Sequence, residues 1–227
     1  MASVYFLSLG PGGVENVTWG TIKILQHCDR IYCFGTSSQS FAAKTLSLLP
    51  INAPIQVVKV PMQKDREATW KVYQDLASEI KEKHSLGEKI AVATEGDSGI
   101  YATTHYVKDL LDQWGVKTEQ MGGVPSFIAA SARAGLHLVS QKERLLVVPG
   151  MITLQEITDL VENRTTVVIM KLSMDTDIVH ECMKLHPEYQ YHYFSHIGQP
   201  EEVYLHDRDI LLQQDFPYFS LMIIKHV

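Results

Sequence analysis

Short apolar runs alternate with amphipathic stretches along the whole chain. The runs are Val4 to Leu9, Arg30 to Phe34, Ile55 to Val60, Ile90 to Thr94, Val116 to Gln120, Leu145 to Val148, Thr165 to Leu172, Tyr189 to Ser195 and Tyr218 to Lys225. Each has strand length, and the stretches between them repeat apolar residues at steps of three and four, as in Tyr73, Leu76, Ala77 and Ile80, or Ile100, Thr104, Val107, Leu111 and Trp114. Strand and helix alternating in this way predict an α/β fold. Thr153-Leu154-Gln155-Glu156 predicts a helix start closed by a capping box. After about residue 189 the strands follow one another with little helix between them, through Val203 to Leu205, which predicts antiparallel pairing. The expectation is therefore two lobes, 1–114 with a mostly parallel sheet and 115–227 with a mixed one.

Three of the predicted strands run into glycine-rich turns: Gly10-Pro11-Gly12-Gly13, Gly96-Asp97-Ser98-Gly99 and Gly122-Gly123-Val124-Pro125-Ser126. Turns at the carboxyl ends of strands in an open α/β sheet are where small ligands bind, and a following helix N-terminus adds amide donors. The first turn lacks the Lys-Ser/Thr of a P-loop and the spacing of a dinucleotide loop, so by itself it reads equally as a tight turn without a ligand. Three such turns in one fold can converge on one cleft.

Composition narrows the ligand. The 227 residues are 45% apolar with a net charge of -6, and no Lys/Arg stripe is present, which argues against nucleic acid as a partner. Cys28, Cys33 and Cys182 form neither a CxxC pair nor an even set, so a reduced, cytoplasmic protein without a zinc knuckle is expected. The opening apolar run is too short to span a bilayer and lacks a basic leader, so neither membrane nor export is expected. His192 and His196 fall on one face of a strand but about 13 Å apart, too far to share an ion. They read as structural or solvent-facing, and no metal site is expected.

Leu9-Gly10-Pro11-Gly12, followed by Val17-Thr18 and a helix running to Cys28-Asp29-Arg30-Ile31, resembles the opening of the tetrapyrrole methylases, class III S-adenosylmethionine methyltransferases. Gly96-Asp97-Ser98 resembles their Gly-Asp-Pro motif, with Ser98 in place of proline, and Gly123 to Leu136 resembles their third turn and small-residue helix, with the proline after the turn. Likeness covers nearly the whole chain. The stretches Leu145 to Gly150, Val167 to Leu172 and Pro217 to Leu221 are most similar to the branch that methylates carbon 20 of precorrin-2.

The resemblance implies a two-domain tetrapyrrole methylase fold, a homodimer, a tetrapyrrole substrate, and S-adenosyl-L-methionine held in a cleft between the domains. It assigns Pro11, Gly96, Asp97, Ile100, Ser126 and Phe127 to the cofactor, with Met170, Ile197 and Phe219 lining its adenine side. Methyl transfer from a sulfonium needs alignment more than a protein nucleophile, and no Ser-His-Asp or Cys-His set is recognisable. A base that removes the proton from carbon 20 is still required, and Glu95, Asp97, Tyr101 and His105 are the candidates. Glu95 reads equally as a solvated loop carboxylate, and Tyr101 reads better as a core tyrosine under the first helical turn. Arg133, Lys142 and Lys171 are candidates to neutralise substrate carboxylates, with surface charge as their default reading. A precorrin-4 methylase, a diphthine synthase and a cofactor-binding module without turnover are the alternatives.

Overall fold

The computed structural model describes residues 3–35, 40–61 and 66–226; Met1 and Ala2, at the head of the opening apolar run, lie outside them. The chain divides into two units, Met1–Ser126 and Phe127–Val227. The division falls later than the expected boundary near Trp114-Gly115, because the strand after that glycine belongs to the first sheet.

The first unit holds β1 (Val4–Ser8), α1 (Trp19–Leu25), β2 (Arg30–Gly35), α2 (Phe41–Ser47), β3 (Ile55–Lys59), α3 (Arg66–Ser85), β4 (Ile90–Thr94), α4 (Thr104–Gln113) and β5 (Thr118–Met121). Its sheet has the order β3-β2-β4-β1-β5, and every pairing is parallel. β4 is apolar and buried on both faces, as a central parallel strand must be, since helices cover both sides. On one face Leu7, Leu9, Ile31 and Ala93 pack with Leu25 of α1 and Leu46 of α2. On the other, Phe6, Tyr32 and Val92 pack with Leu76 and Ile80 of α3 and Leu111 of α4. The helices that follow the neighbouring strands β1 and β4 thus lie on opposite faces. Adjacent strands whose connections leave in opposite directions open a crevice at their carboxyl ends.

The second unit holds α5 (Ser126–Arg133, whose first residue closes the first unit), β6 (Arg144–Val148), α6 (Leu154–Glu162), β7 (Thr165–Met170), α7 (Thr176–Leu185), β8 (Gln190–Ser195), β9 (Val203–Leu205), α8 (Arg208–Leu211) and β10 (Ser220–Lys225). Its sheet runs β6-β7-β10-β8-β9; β6 and β7 are parallel and the other pairs antiparallel, the mixed sheet expected from the change in strand spacing. α6 starts at the expected capping box: the Thr153 hydroxyl accepts from the Glu156 amide, and the Glu156 carboxylate accepts from the Thr153 amide at 2.8 Å. Ile157, Val161, Val179 and Met183 of α6 and α7 bury one sheet face with Ile169, Tyr193 and Met222. Among the described residues no helix is long and apolar enough to cross a membrane.

Candidate functional site

Gly10 and Gly96 end the two strands at the crevice, and they hold each other. The Gly10 amide donates to the Gly96 carbonyl at 3.0 Å and the Gly96 amide to the Gly10 carbonyl at 2.9 Å. Both have positive φ, 67° and 66°. At Gly10 a Cβ would come within 2.5 Å of the Asn16 carbonyl oxygen, so the position needs glycine for space as well as for φ. The first turn is fastened from behind as well, where Asn16 Nδ2 donates to the Pro11 carbonyl at 2.9 Å and Thr45 Oγ1 to the Gly12 carbonyl at 2.7 Å.

Asp97 joins the second turn to the third. Its Oδ1 accepts from the Gly99 amide at 2.8 Å and its Oδ2 from the Gly123 amide at 2.6 Å. Gly123 lies so close to β1 that a side chain there would overlap Cβ of Ser8. Ser98, in place of proline, uses the amide a proline lacks: its N–H donates to Ser8 Oγ at 2.8 Å. The Ser8 hydroxyl reaches the Met121 carbonyl at 2.7 Å and the Ser98 hydroxyl donates to the same carbonyl at 3.3 Å, with the two hydroxyl oxygens 3.0 Å apart. Both serines are buried, so these bonds fasten the second turn to β1 away from solvent. Three turns at the ends of β1, β4 and β5 therefore form one hydrogen-bonded cluster within the first unit.

Glu95 leads into this cluster. Its Oε1 is buried and meets no hydrogen-bond partner among the described residues. Desolvation raises its pKa from 4.5 to about 7, so it is not the solvated loop carboxylate that its position in the sequence allows. Tyr101 departs from expectation: it precedes α4 in a turn with φ of 51° and is 44% exposed, not a core tyrosine. The helix starts only at Thr104, so Ile100 lies in the turn, its amide bonded to the Asp97 carbonyl at 3.2 Å. His105 stands exposed in the first turn of α4, with Nδ1 2.6 Å from the Ala102 carbonyl. A carbonyl only accepts, so Nδ1 is the donor in this contact.

Beside His105 stands an aromatic wall that the sequence reading assigned to the core stripe or passed over. Tyr106 stacks on Tyr73 at 5.1 Å, Trp70 packs edge-on against both, and Phe34 at the end of β2 meets Tyr73 at 5.7 Å. Trp70 and Tyr106 remain partly exposed. Their signal in the sequence was a pair of aromatics three apart at the start of a helix.

In the second unit, Met170, Ile197 and Phe219 fall on one edge of the mixed sheet. Met170 ends β7 opposite Leu221, Ser195 ends β8 opposite Ser220, and the Phe219 carbonyl accepts from the His196 amide at 3.0 Å. Phe219 is exposed, Met170 half-buried and Ile197 buried. Left-handed residues cluster at this edge: Met151, Lys171 and His196 all have φ between 51° and 62°. Asp175, absent from the sequence reading, is buried and places both oxygens on the Met151 amide, at 2.9 and 3.0 Å. Ser126 begins α5, and the ring of Phe127 is buried. Arg133 lies 3.8 Å from Glu202, an ion pair within the second unit. His192 is buried, with Nδ1 3.0 Å from the Tyr204 hydroxyl, and so fills a structural place.

Residues 3–208 match the family model of the Tetrapyrrole (Corrin/Porphyrin) Methylases. The chain is 26% identical over 170 residues to a probable cobalt-precorrin-2 C(20)-methyltransferase of Methanocaldococcus jannaschii, covering 74% of this chain and 71% of that protein. It is 24% identical over 174 residues to the cobalt-precorrin-2 C(20)-methyltransferase of Salmonella typhimurium, covering 74% and 72%. Among solved structures, a cobalt precorrin-4 methyltransferase superposes with a TM-score of 0.75 at 17% identity, over 98% of this chain and 94% of that one. A uroporphyrin-III-C-methyltransferase from Thermus thermophilus gives 0.68 at 18% identity, over 99% and 92%. At these identities the solved structures speak for the fold.

Proposed function

The chain belongs to the tetrapyrrole (corrin/porphyrin) methylases, and from that premise we propose that it methylates carbon 20 of precorrin-2 or of its cobalt-bearing counterpart. At the coarser level it is an S-adenosylmethionine-dependent methyltransferase of cobalamin biosynthesis. The ring position rests on two relatives, each named for carbon 20 and each covering 74% of the chain. A homodimer is part of the same reading, and sedimentation of the purified chain checks it.

The glycine turns have the chemistry to hold the cofactor. Each Asp97 oxygen spends one lone-pair direction on a backbone amide and keeps another, so the carboxylate can accept from ribose hydroxyls or from an ammonium group while bracing the turns. Gly96 offers a surface where a Cβ would meet nothing within 4 Å. Pro11, Ile100 and Ser126 border the same turns, while Met170, Ile197, Phe219 and Phe127 supply the apolar contacts in this reading. When bound, the cofactor supplies an already activated methyl group. The protein then has to align the tetrapyrrole, exclude water and remove one proton.

The single observation that carries the mechanism is Glu95, a half-buried residue whose carboxyl has one buried, unpartnered oxygen and a pKa raised to about 7. A base works best when its pKa lies near the working pH, and Glu95 is assigned the proton on carbon 20. His105 and Tyr101 are assigned to orienting the substrate. The wall of Phe34, Trp70, Tyr73 and Tyr106, with Trp70 and Tyr106 partly exposed, suits a flat conjugated ring system, which can stack on an aromatic face. Incubation with precorrin-2 or cobalt-sirohydrochlorin and methyl-labelled cofactor tests the reading. Label at carbon 20 is expected; label at another ring carbon, such as carbon 11, transfers the assignment to a different branch.

A further inference from the structure

The carboxyl edge of the mixed sheet carries two exposed methionines and a lysine that the cofactor contacts leave unused. Met151 follows β6, Lys171 follows β7, and Met174 lies just before α7. Met151 is 81% exposed, more than any other large apolar side chain among the described residues, and Met174 is 57% exposed. The two segments lie against each other, since a Cβ on Gly150 would stand 3.6 Å from both the Met170 carbonyl oxygen and Cβ of Met174.

Holding these side chains outward costs stability. Met151 and Lys171 have φ of 62° and 56°, a left-handed backbone that is unfavourable for any residue with a Cβ and that gathers at ligand sites. Asp175 stands at the N-cap of α7, where an aspartate ordinarily accepts from the first amides of its helix, yet its side chain makes no such bond. Both of its oxygens go to the Met151 amide instead, at 2.9 and 3.0 Å, in a buried position. The chain forgoes a helix cap to fix an apolar side chain in solvent, which is useful only if a ligand meets it there. Charge narrows the ligand. With a net charge of -6, the protein holds a polyanion such as a tetrapyrrole with acetate and propionate chains only through local cations. In the second unit Arg133 is paired with Glu202 and Lys225 with Glu143, while Lys142, Arg144 and Arg164 stand at the opposite edge, where β6 and β7 begin. Lys171 is at the carboxyl edge, and its ammonium has neither an ion pair nor a hydrogen bond among the described residues.

We propose that Lys171 receives a side-chain carboxylate of the tetrapyrrole while Met151 and Met174 lie against the apolar rim of its ring, an inference that rests on the methylase reading of this chain. An ammonium on a flexible four-carbon stem can follow a mobile acetate or propionate chain. Unbranched, polarizable methionines adapt to a partly reduced ring that is not flat throughout. The buried Asp175 acts at one remove, as the brace that presents Met151.

The test is an absorption titration of the full chain with sirohydrochlorin, a stable tetrapyrrole carrying acetate and propionate chains, which reads binding without turnover. Lys171→Gln should weaken it about tenfold, as the loss of a charge-assisted hydrogen bond does, and leave S-adenosylhomocysteine affinity as it was. Lys142→Gln makes the same change of charge at the opposite edge and should bind like the wild type. Met151→Gly removes the side chain while relieving its backbone, so the melting temperature should hold and the tetrapyrrole weaken several-fold. Equal affinity in wild type and Lys171→Gln overturns the inference and leaves the methylase reading standing. A loss shared by Lys142→Gln, or one that falls on S-adenosylhomocysteine, also overturns it, and assigns Lys171 to general charge or to the cofactor. Undiminished affinity in Met151→Gly strikes the methionines from the site. Binding that depends on Lys171 without methyl transfer to any tetrapyrrole defeats the methylase reading and spares the site.

Discussion

The two units use the same device with different consequences. In the first, Asp97 accepts from two amides that belong to different turns, and so ties two strand ends together while the Gly10–Gly96 bonds fasten the third. In the second, Asp175 spends both oxygens on the single amide of Met151 and fixes one strained turn after β6. Asp175 is sealed from solvent, whereas Asp97 stays partly open with lone pairs to offer. A carboxylate that bridges can both brace and bind, while one that is enclosed can only brace.

The largest expected effect removes the frame of the first unit. Gly10→Ala combines positive φ with overlap against Asn16, and should cost about 3–4 kcal/mol in urea unfolding. Gly150→Ala, with φ of 94° and a Cβ 2.8 Å from one oxygen of Asp175, is its counterpart in the second unit. Because a carboxylate can swing aside, it should cost less; equal losses would erase the distinction between a backbone frame and a side-chain brace.

Next comes Glu95 of the first unit. Its pKa in the folded chain, about 7, lies above the ordinary 4.5, so the folded chain holds a proton that the unfolded chain releases. Its contribution is fully favourable below about pH 4.5 and is lost as pH rises through 7, a swing of about 3 kcal/mol. Glu95→Gln should flatten that slope, gaining stability at about pH 8 relative to wild type while losing methyl transfer. The wild-type kcat/KM should rise with pH through an apparent value near 7. A rate independent of pH from about 6 to 8 would remove Glu95 from the chemistry.

Smaller effects separate bracing from binding. Asp97→Ala should weaken S-adenosylhomocysteine by about 1.5–3 kcal/mol, read by calorimetry. Asp175→Ala should lower the melting temperature and change that affinity less. If the two variants exchange these outcomes, the roles drawn above are reversed. The least effect is expected of Ser98→Ala, which keeps the 2.8 Å amide bond and loses only the hydroxyl, about 1 kcal/mol.

Much of the fold was legible because its signals are local. The strands, the capping box at Thr153 and the glycine turns each announce themselves within a few residues. The boundary after Ser126 was not, because β5, with exposed Glu119 and Gln120, belongs to the first sheet only through its pairing with β1. Tyr101 was misread because apolar spacing continued through Ile100 while the backbone had not yet turned helical. Asp175 is invisible along the chain for a related reason: its partner, the Met151 amide, lies in another segment. Asp97 was legible only because it sits between glycines.

The reciprocal bonds between Gly10 and Gly96 are made wholly of main chain. Side chains nearby, among them Glu95, Ser98 and Tyr101, can therefore be exchanged without shifting the frame on which they stand. Such a frame tolerates a change of substrate during evolution, since the chemistry can be rewritten at its rim while the opening itself keeps its shape.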